Sequence, residues 1–180
     1  MHDTLPAFWK WDDVLPESLL TILDAESQST PRVQGTLDGG RVAHARDSSI
    51  VMLPPSHWFC GVLLNFAIQA NMHANWKRDI SFPECLQFSD YGIGQHYDWH
   101  VDATVLTAAE INRKLSIVCL LSDPREFDGG MLELEHIKEP IILKRGSIIV
   151  FPSLLRHRVT PVTRGFRTTI VSWVLGPTVW

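Results

Sequence analysis

The sequence predicts a mainly β domain, a double-sheet jelly roll or a related barrel, with two to three helices packed on one sheet. Three observations carry this. Eight short β-rich runs follow residue 84, turn-forming residues separate them, and helical periodicity is confined to the residues before them. A chain of 180 residues suffices for one domain with its own core, so residues 1–180 are expected to form a single unit, with about 1–80 as helical support and about 84–176 as the β core.

The elements follow in order. Pro16 stands where a first helical turn tolerates proline, and Leu19, Leu20, Ile22 and Leu23 follow it, which predicts a short amphipathic helix over 16–27. Residues 35–40 are turn-rich. Ser56, after Pro54-Pro55, is an N-cap candidate. Beyond it Trp58, Val62, Phe66 and Ala70 recur at steps of four, with Phe59 and Leu63 beside them, so a helix with one broad apolar face runs to near Trp76. The predicted strands are 85–89, 95–102, 115–121, 131–135, 140–143, 147–151, 158–162 and 167–175. Asp128-Gly129-Gly130 and Lys144-Arg145-Gly146 are the clearest turns between them, the glycines of the first allowing backbone angles that other residues resist.

Composition narrows the function classes. Apolar residues at 45% and charged residues at 20% describe a globular chain. The net charge of −4 disfavours an extended nucleic-acid surface. No apolar run reaches the roughly 18 to 20 residues of a membrane helix. Residues 1–11 lack the basic and then apolar pattern of a secretory leader. Three scattered cysteines, Cys60, Cys85 and Cys119, with no Cys-x-x-Cys spacing, suit a reducing compartment, so a cytoplasmic location is expected.

The chemistry concentrates in residues 91–102. On a strand, residues two apart share a face, so His100 and Asp102 set an imidazole beside a carboxylate. A His-x-Asp pair alone also describes an ordinary polar strand face. His157, after an apolar run and at the start of a new strand, supplies a second imidazole. Two histidines and one carboxylate can hold iron(II) on one face with three positions open, and zinc accepts the same ligands. Arg167 begins the last strand among apolar residues. Inside a barrel a planar guanidinium needs an anion, and a carboxylate matches it through two parallel hydrogen bonds, with Thr169 two along on the same face as a further donor. Taken alone, Arg167 reads rather as a solvent-facing neighbour of Arg164.

Three motifs in order, Tyr91…Gly94…Tyr97…His100-x-Asp102, Phe127-Asp-Gly-Gly-Met-Leu-Glu-Leu134 and His157-Arg-Val-Thr-Pro-Val-Thr-Arg-Gly-Phe-Arg167, resemble the prolyl 4-hydroxylase-like Fe(II)/2-oxoglutarate dioxygenases, and within them the PKHD-type hydroxylases of bacteria and phages. The resemblance covers about residues 86–173. It implies a double-stranded β-helix of the cupin-like, jelly-roll kind, iron(II) held by His100, Asp102 and His157, and Arg167 on the distal carboxylate of 2-oxoglutarate with Thr169 helping. Tyr91 is the preferred co-substrate contact and Tyr97 lies near the metal or co-substrate, while core packing accounts for either tyrosine as well.

The resemblance implies an enzyme that consumes dioxygen and 2-oxoglutarate, releases succinate and CO2, and hydroxylates a C–H bond of a peptidyl prolyl residue or of another peptidyl or free amino acid. It also carries the family's ascorbate dependence as an expectation. Collagen-type enzymes have lysine at the place of Arg167, so that branch's substrate does not transfer. Two other readings compete. A nucleobase demethylase shares the triad, but its Arg-x-Asn-x-Thr-x-Arg run is missing here, where the chain reads Arg167-Thr-Thr-Ile-Val-Ser-Trp173. A non-enzymatic metal-binding jelly roll has no use for an Arg167 pocket. His96 reads as a rim residue and Trp99 as packing; Arg46, ahead of Ser48-Ser49, reads as a surface arginine more readily than as a residue lining a substrate groove; His44, His57, His73 and His136 read as structural or surface residues. Residues 35–49 and 103–113 are the candidate substrate loops.

Overall fold

A computed structural model of the protein describes residues 5–35, 45–103 and 111–178. In chain order its elements are β1 (Trp9–Trp11), α1 (Glu17–Ser29), β2 (Val33–Gln34), β3 (Arg46–Asp47), β4 (Ser49–Leu53), α2 (Trp58–His73), β5 (Phe82–Tyr91), β6 (His96–His100), β7 (Ile111–Leu120), β8 (Asp128–Gly129), β9 (Leu132–Leu134), β10 (Ile148–Pro152), β11 (His157–Val159), β12 (Val162–Arg164) and β13 (Arg167–Pro177). A seven-stranded sheet in the order β1-β10-β7-β13-β5-β4-β2 faces a four-stranded sheet, β3-β6-β11-β9, and all the strand pairs are antiparallel. This is the double-stranded β-helix.

Alternation along the long strands divides the interior in two. On β13, Ile170 and Val174 face the helical layer with Leu86 and Phe88 of β5 and Leu115, Ile117 and Cys119 of β7, and there they meet Phe59, Leu63 and Ala67 of α2 in the main core. The opposite faces of the same strands point between the sheets. Toward the β9 end, Val118, Leu120, Leu132, Ile149 and Phe151 form a second apolar cluster there. The two helices thus buttress the larger sheet, and its inner face is left to line a cavity.

The sequence expectations need five corrections. The residues before 84 are not only helical: β1, β2 and β4 extend the large sheet and β3 extends the small one. The run 140–143 is not a strand. Ile141 and Leu143 are buried and Ile142 is exposed, so the segment alternates, but it joins no ladder. The single strand 158–162 is two, β11 and β12. The 128–130 turn contributes β8, a short partner for β12. At α2 the N-cap is His57 and not Ser56: its ring Nδ1 accepts from the Phe59 amide, and its Nε2 lies 2.8 Å from Glu26 Oε1 of α1. His44 and most of the two candidate substrate loops lie outside the described residues. No helix among the described residues is long and apolar enough to cross a membrane.

Candidate functional site

Antiparallel pairing of β11 with β6 sets His157 directly opposite His100, their rings 4.2 Å apart. Asp102 lies just beyond β6, where its amide bonds the Ser153 carbonyl at 3.1 Å. One ligand atom from each of the three residues falls within 4.8 Å of the other two. His100 Nε2 is 3.5 Å from Asp102 Oδ1, and His157 Nε2 is 3.4 Å from Asp102 Oδ2. Metal bonds of about 2.1 Å place ligands on one octahedral face about 3 Å apart, so the spacing suits a shared ion.

The hydrogen bonds behind these groups fix which atoms they offer. His100 Nδ1 donates to the Asp98 carbonyl at 2.7 Å and His157 Nδ1 to the Leu155 carbonyl at 2.9 Å. Each ring therefore presents Nε2 to the cluster. Asp102 Oδ2 accepts from Ser116 Oγ at 2.7 Å, and Ser116 in turn meets Ser153 Oγ at 2.9 Å. Neither serine stood out in the sequence, because each is polar only toward a partner far along the chain. Burial pushes the Asp102 carboxyl up, but contacts with His100 and His157 outweigh it and hold the group well below its ordinary value. Burial likewise pulls His157 down, and Asp102 more than reverses this, leaving the imidazole raised.

A register irregularity in the β11–β6 pairing explains Tyr97. His157 faces His100, yet Val159 faces Tyr97, so β6 has one extra residue there. Three positions apart, Tyr97 and His100 reach the same side and stack at 3.5 Å and 10°.

The cluster opens onto a cavity of about 500 Å³ between the sheets. The large sheet contributes the inward residues of two neighbouring strands in register: Arg167 opposite Tyr91, Thr169 opposite Ser89 and Val171 opposite Gln87. Arg167 is 2% exposed. Its guanidinium lies 5.5 Å from the Tyr91 ring centroid, and no acidic group among the described residues faces it. Burial alone pulls its pKa down to about 10. Burial raises the Tyr91 hydroxyl. Thr169 Oγ1 sits 3.5 Å from the Ser89 carbonyl and also borders the cavity. Gly130, at φ +58, passes so close that an added Cβ would stand 2.7 Å from Arg167 Cδ.

Arg46 is 9% exposed and faces the cavity, which departs from the preferred surface reading and agrees with the alternative of a groove-lining residue. Trp173, just past the middle of β13, also lines it, and its buried Nε1 has no hydrogen-bond partner among the described residues. Trp99 is not among the residues lining the cavity; the guanidinium carbons of Arg156 and Arg158 lie 5.6 and 4.9 Å from its ring centroid. His96 sits at the rim with Nδ1 3.2 Å from the Gly94 carbonyl.

A jelly roll with a two-histidine, one-carboxylate cluster facing its central cavity defines the class of metal-dependent cupin-like proteins. Residues 86–175, half of the chain, match the 2OG-Fe(II) oxygenase superfamily, and the chain belongs to it. Over 99 residues it is 37% identical to a PKHD-type hydroxylase of Shewanella frigidimarina (strain NCIMB 400), covering 52% of this chain and 43% of that protein. Over 123 residues it is 38% identical to a PKHD-type hydroxylase of Caulobacter sp. (strain K31), covering 63% of this chain and 53% of the relative. The chain thus spans about half the length of the curated relatives it matches. A viral collagen prolyl hydroxylase from Paramecium Bursaria Chlorella virus-1, solved as its 2OG complex, superimposes with a TM-score of 0.72 at 19% identity, covering 95% of this chain and 97% of that one; at this identity the likeness is one of fold.

Proposed function

We propose that the protein is an Fe(II)- and 2-oxoglutarate-dependent dioxygenase, folded as one domain, that hydroxylates a C–H bond of a peptidyl prolyl residue or of another peptidyl or free amino acid. The observation that carries this reading is the coexistence, in one cavity, of three convergent metal-ligating atoms and a buried guanidinium with no acid beside it among the described residues. A structural zinc site would be closed by four protein ligands. Among the described residues three ligands meet at the cavity, with no fourth to close the site. The peptide and amino-acid substrate class draws support from the PKHD-type and prolyl hydroxylase relatives.

In this reading His100 Nε2, His157 Nε2 and an Asp102 oxygen hold the iron. The metal, when bound with its keto-acid co-substrate, supplies the oxygen chemistry. The chain supplies the rest. Arg167 takes the distal carboxylate through its planar fork, and the negative charge relieves its desolvation. Tyr91, directly across from Arg167, and Thr169 flank that carboxylate. Ser116 steadies Asp102, and the two backbone carbonyls behind the imidazoles keep both rings turned inward. Tyr97, stacked on His100, shields one side of that ligand from water.

Anaerobic addition of iron(II) and 2-oxoglutarate to the folded protein should produce a metal-to-ligand charge-transfer band in the visible. Absence of any band would defeat the co-substrate assignment. Succinate release screened over proline-rich peptides, free amino acids and short nucleic acids then sorts the substrate classes. A second expected outcome concerns Gly130. Because a Cβ there would collide with the middle of the Arg167 side chain, Gly130→Ala should weaken 2-oxoglutarate binding about tenfold or more while leaving metal affinity at the wild-type level. A titration of the charge-transfer band measures both, and unchanged 2-oxoglutarate affinity would show that Arg167 does not depend on that close approach.

A further inference from the structure

Arg167 is not the only guanidinium in the cavity. Arg46 reaches it from the opposite sheet and is nearly as buried. It is held from three sides. Its Nε donates to the buried Ser48 Oγ at 2.9 Å. Its guanidinium carbon lies 4.8 Å from the centroid of Tyr97, its cross-strand partner, and Tyr97 itself stacks on His100. Gly35 closes the third side so tightly that a Cβ there would stand 2.8 Å from Arg46 Nε. The two terminal nitrogens are left for the cavity.

No carboxylate among the described residues answers that charge. Asp102 is engaged with both imidazoles and Ser116. Glu84 is locked to Arg113 by paired bonds of 2.5 and 2.7 Å, which also neutralises the third arginine at the cavity wall. Asp90 turns to the other face of β5 and pairs with Arg32. Asp47, beside Arg46, accepts from Gln95 at the surface.

The charges do not balance with metal and co-substrate alone. A divalent ion and two guanidinium groups against the single Asp102 carboxylate leave three positive charges, and a keto-diacid removes two. Whichever arginine takes the far carboxylate, the other has no anion among the described residues, in a site of low dielectric where unbalanced charge is most costly. One residual charge matches a monoanion. A planar fork, resting on an aromatic face with its Nε already used, matches a carboxylate.

We infer that Arg46 is a second anion site, and that the molecule hydroxylated here carries a carboxylate which Arg46 binds beside Tyr97. The inference rests on the dioxygenase reading and sharpens it. A residue in the middle of a neutral peptide is disfavoured. A free amino acid, a C-terminal residue, or a residue next to an acidic side chain is favoured. Arg46 is thereby a specificity-determining residue.

The test is binding to protein loaded with zinc(II), as a diamagnetic stand-in, and saturating 2-oxoglutarate, read by ligand-observed NMR. The probes are benzoate, L-proline and a short peptide ending in proline, each beside its carboxamide. At least one acid should bind, with its amide at least tenfold weaker. Arg46→Gln should remove that preference, and Arg46→Lys should restore part of it. The acid that binds identifies the source: L-proline a free amino acid, the peptide acid a chain terminus. The acid–amide comparison in the wild-type protein needs no variant, so a poorly folded Arg46→Gln leaves the test intact. Failure of every acid to bind over saturating 2-oxoglutarate, equal binding of acids and amides, or a wild-type preference in well-folded Arg46→Gln would each overturn the inference. Those failures are separable from failure of the dioxygenase reading, which shows earlier as the absence of the charge-transfer band with iron(II).

Discussion

Replacing Arg167 with methionine is expected to make the metal-free protein more stable and at the same time to abolish 2-oxoglutarate binding. Both effects come from one feature, a buried guanidinium that lies over the Tyr91 ring and faces no acidic group among the described residues. Its pKa falls from the ordinary arginine value to about 10 because burial disfavours the charged form. A depression of that size corresponds to about 3 kcal/mol of unfavourable desolvation in the free protein. The sign is that of a base whose folded-state pKa is lowered. The cost is fully present below pH about 10 and shrinks as the pH rises from there toward the ordinary arginine value. Methionine has similar length, needs no counterion and packs adaptably. For a domain of this size the unfolding midpoint of Arg167→Met should rise by several degrees, at about 2–4 °C for each kcal/mol. Thermal unfolding followed with and without metal and 2-oxoglutarate checks both halves. Wild-type protein should gain stability from the co-substrate and the variant should gain none. A variant less stable than wild type in the absence of ligands would show that Arg167 has a partner of its own. A variant that still binds 2-oxoglutarate at wild-type affinity would remove Arg167 from the co-substrate site.

How far the site could be read from the sequence depended on whether a contact is local. His100 and Asp102 share a side because they are two apart near a strand end, and alternation alone predicts that. The inward set Arg167 and Thr169 follows from the same rule. Tyr97 breaks it: the extra residue in β6 brings a side chain three positions from His100 onto the same side, and nothing in the local pattern marks the irregularity. The sequence alone favours a surface place for Arg46 over a groove-lining one because its burial depends on pairing with β6, about fifty residues away, in a segment too short and polar to read as a strand. The same limit explains the run 140–143. Alternating burial of Ile141 and Leu143 around Ile142 reports a segment lying on a core, and it carries no information on whether a ladder partner is near. Strand β4 was missed for the converse reason: its apolar residues stand among short turn-rich stretches, and only contact with β5 makes them a ladder.

In the metal cluster itself, Asp102 sets the protonation state of its neighbour, and Asp102→Asn should therefore change two pH profiles at once. In the metal-free protein His157 is raised because the buried carboxylate beside it outweighs desolvation. Stability from a raised histidine is fully present below its unfolded value of 6.5 and is lost as pH rises through the folded value. Stability from the lowered Asp102 carboxyl is present above its unfolded value of 3.8 and is lost as pH falls through the folded one. The pair thus stabilises metal-free protein most between those two unfolded values. Metal binding runs the other way, since it needs the His157 Nε2 lone pair. Metal affinity should climb with pH until the pH passes the raised histidine value, and then level off, because His157 must give up its proton for the ion to bind. Asp102→Asn removes the charge that raises His157, so the metal-free protein should lose its decline in stability above pH 6.5. Losing a direct ligand should also lower metal affinity by about a hundredfold or more, the upper end of what outer-shell changes alone cause. Anaerobic iron(II) titrations from about pH 5.5 to 8, beside thermal unfolding of metal-free protein over the same range, read both profiles. Wild-type metal affinity in Asp102→Asn would take the carboxylate out of the ligand set, and an unchanged stability profile would show that the His157–Asp102 contact carries no charge in the free protein.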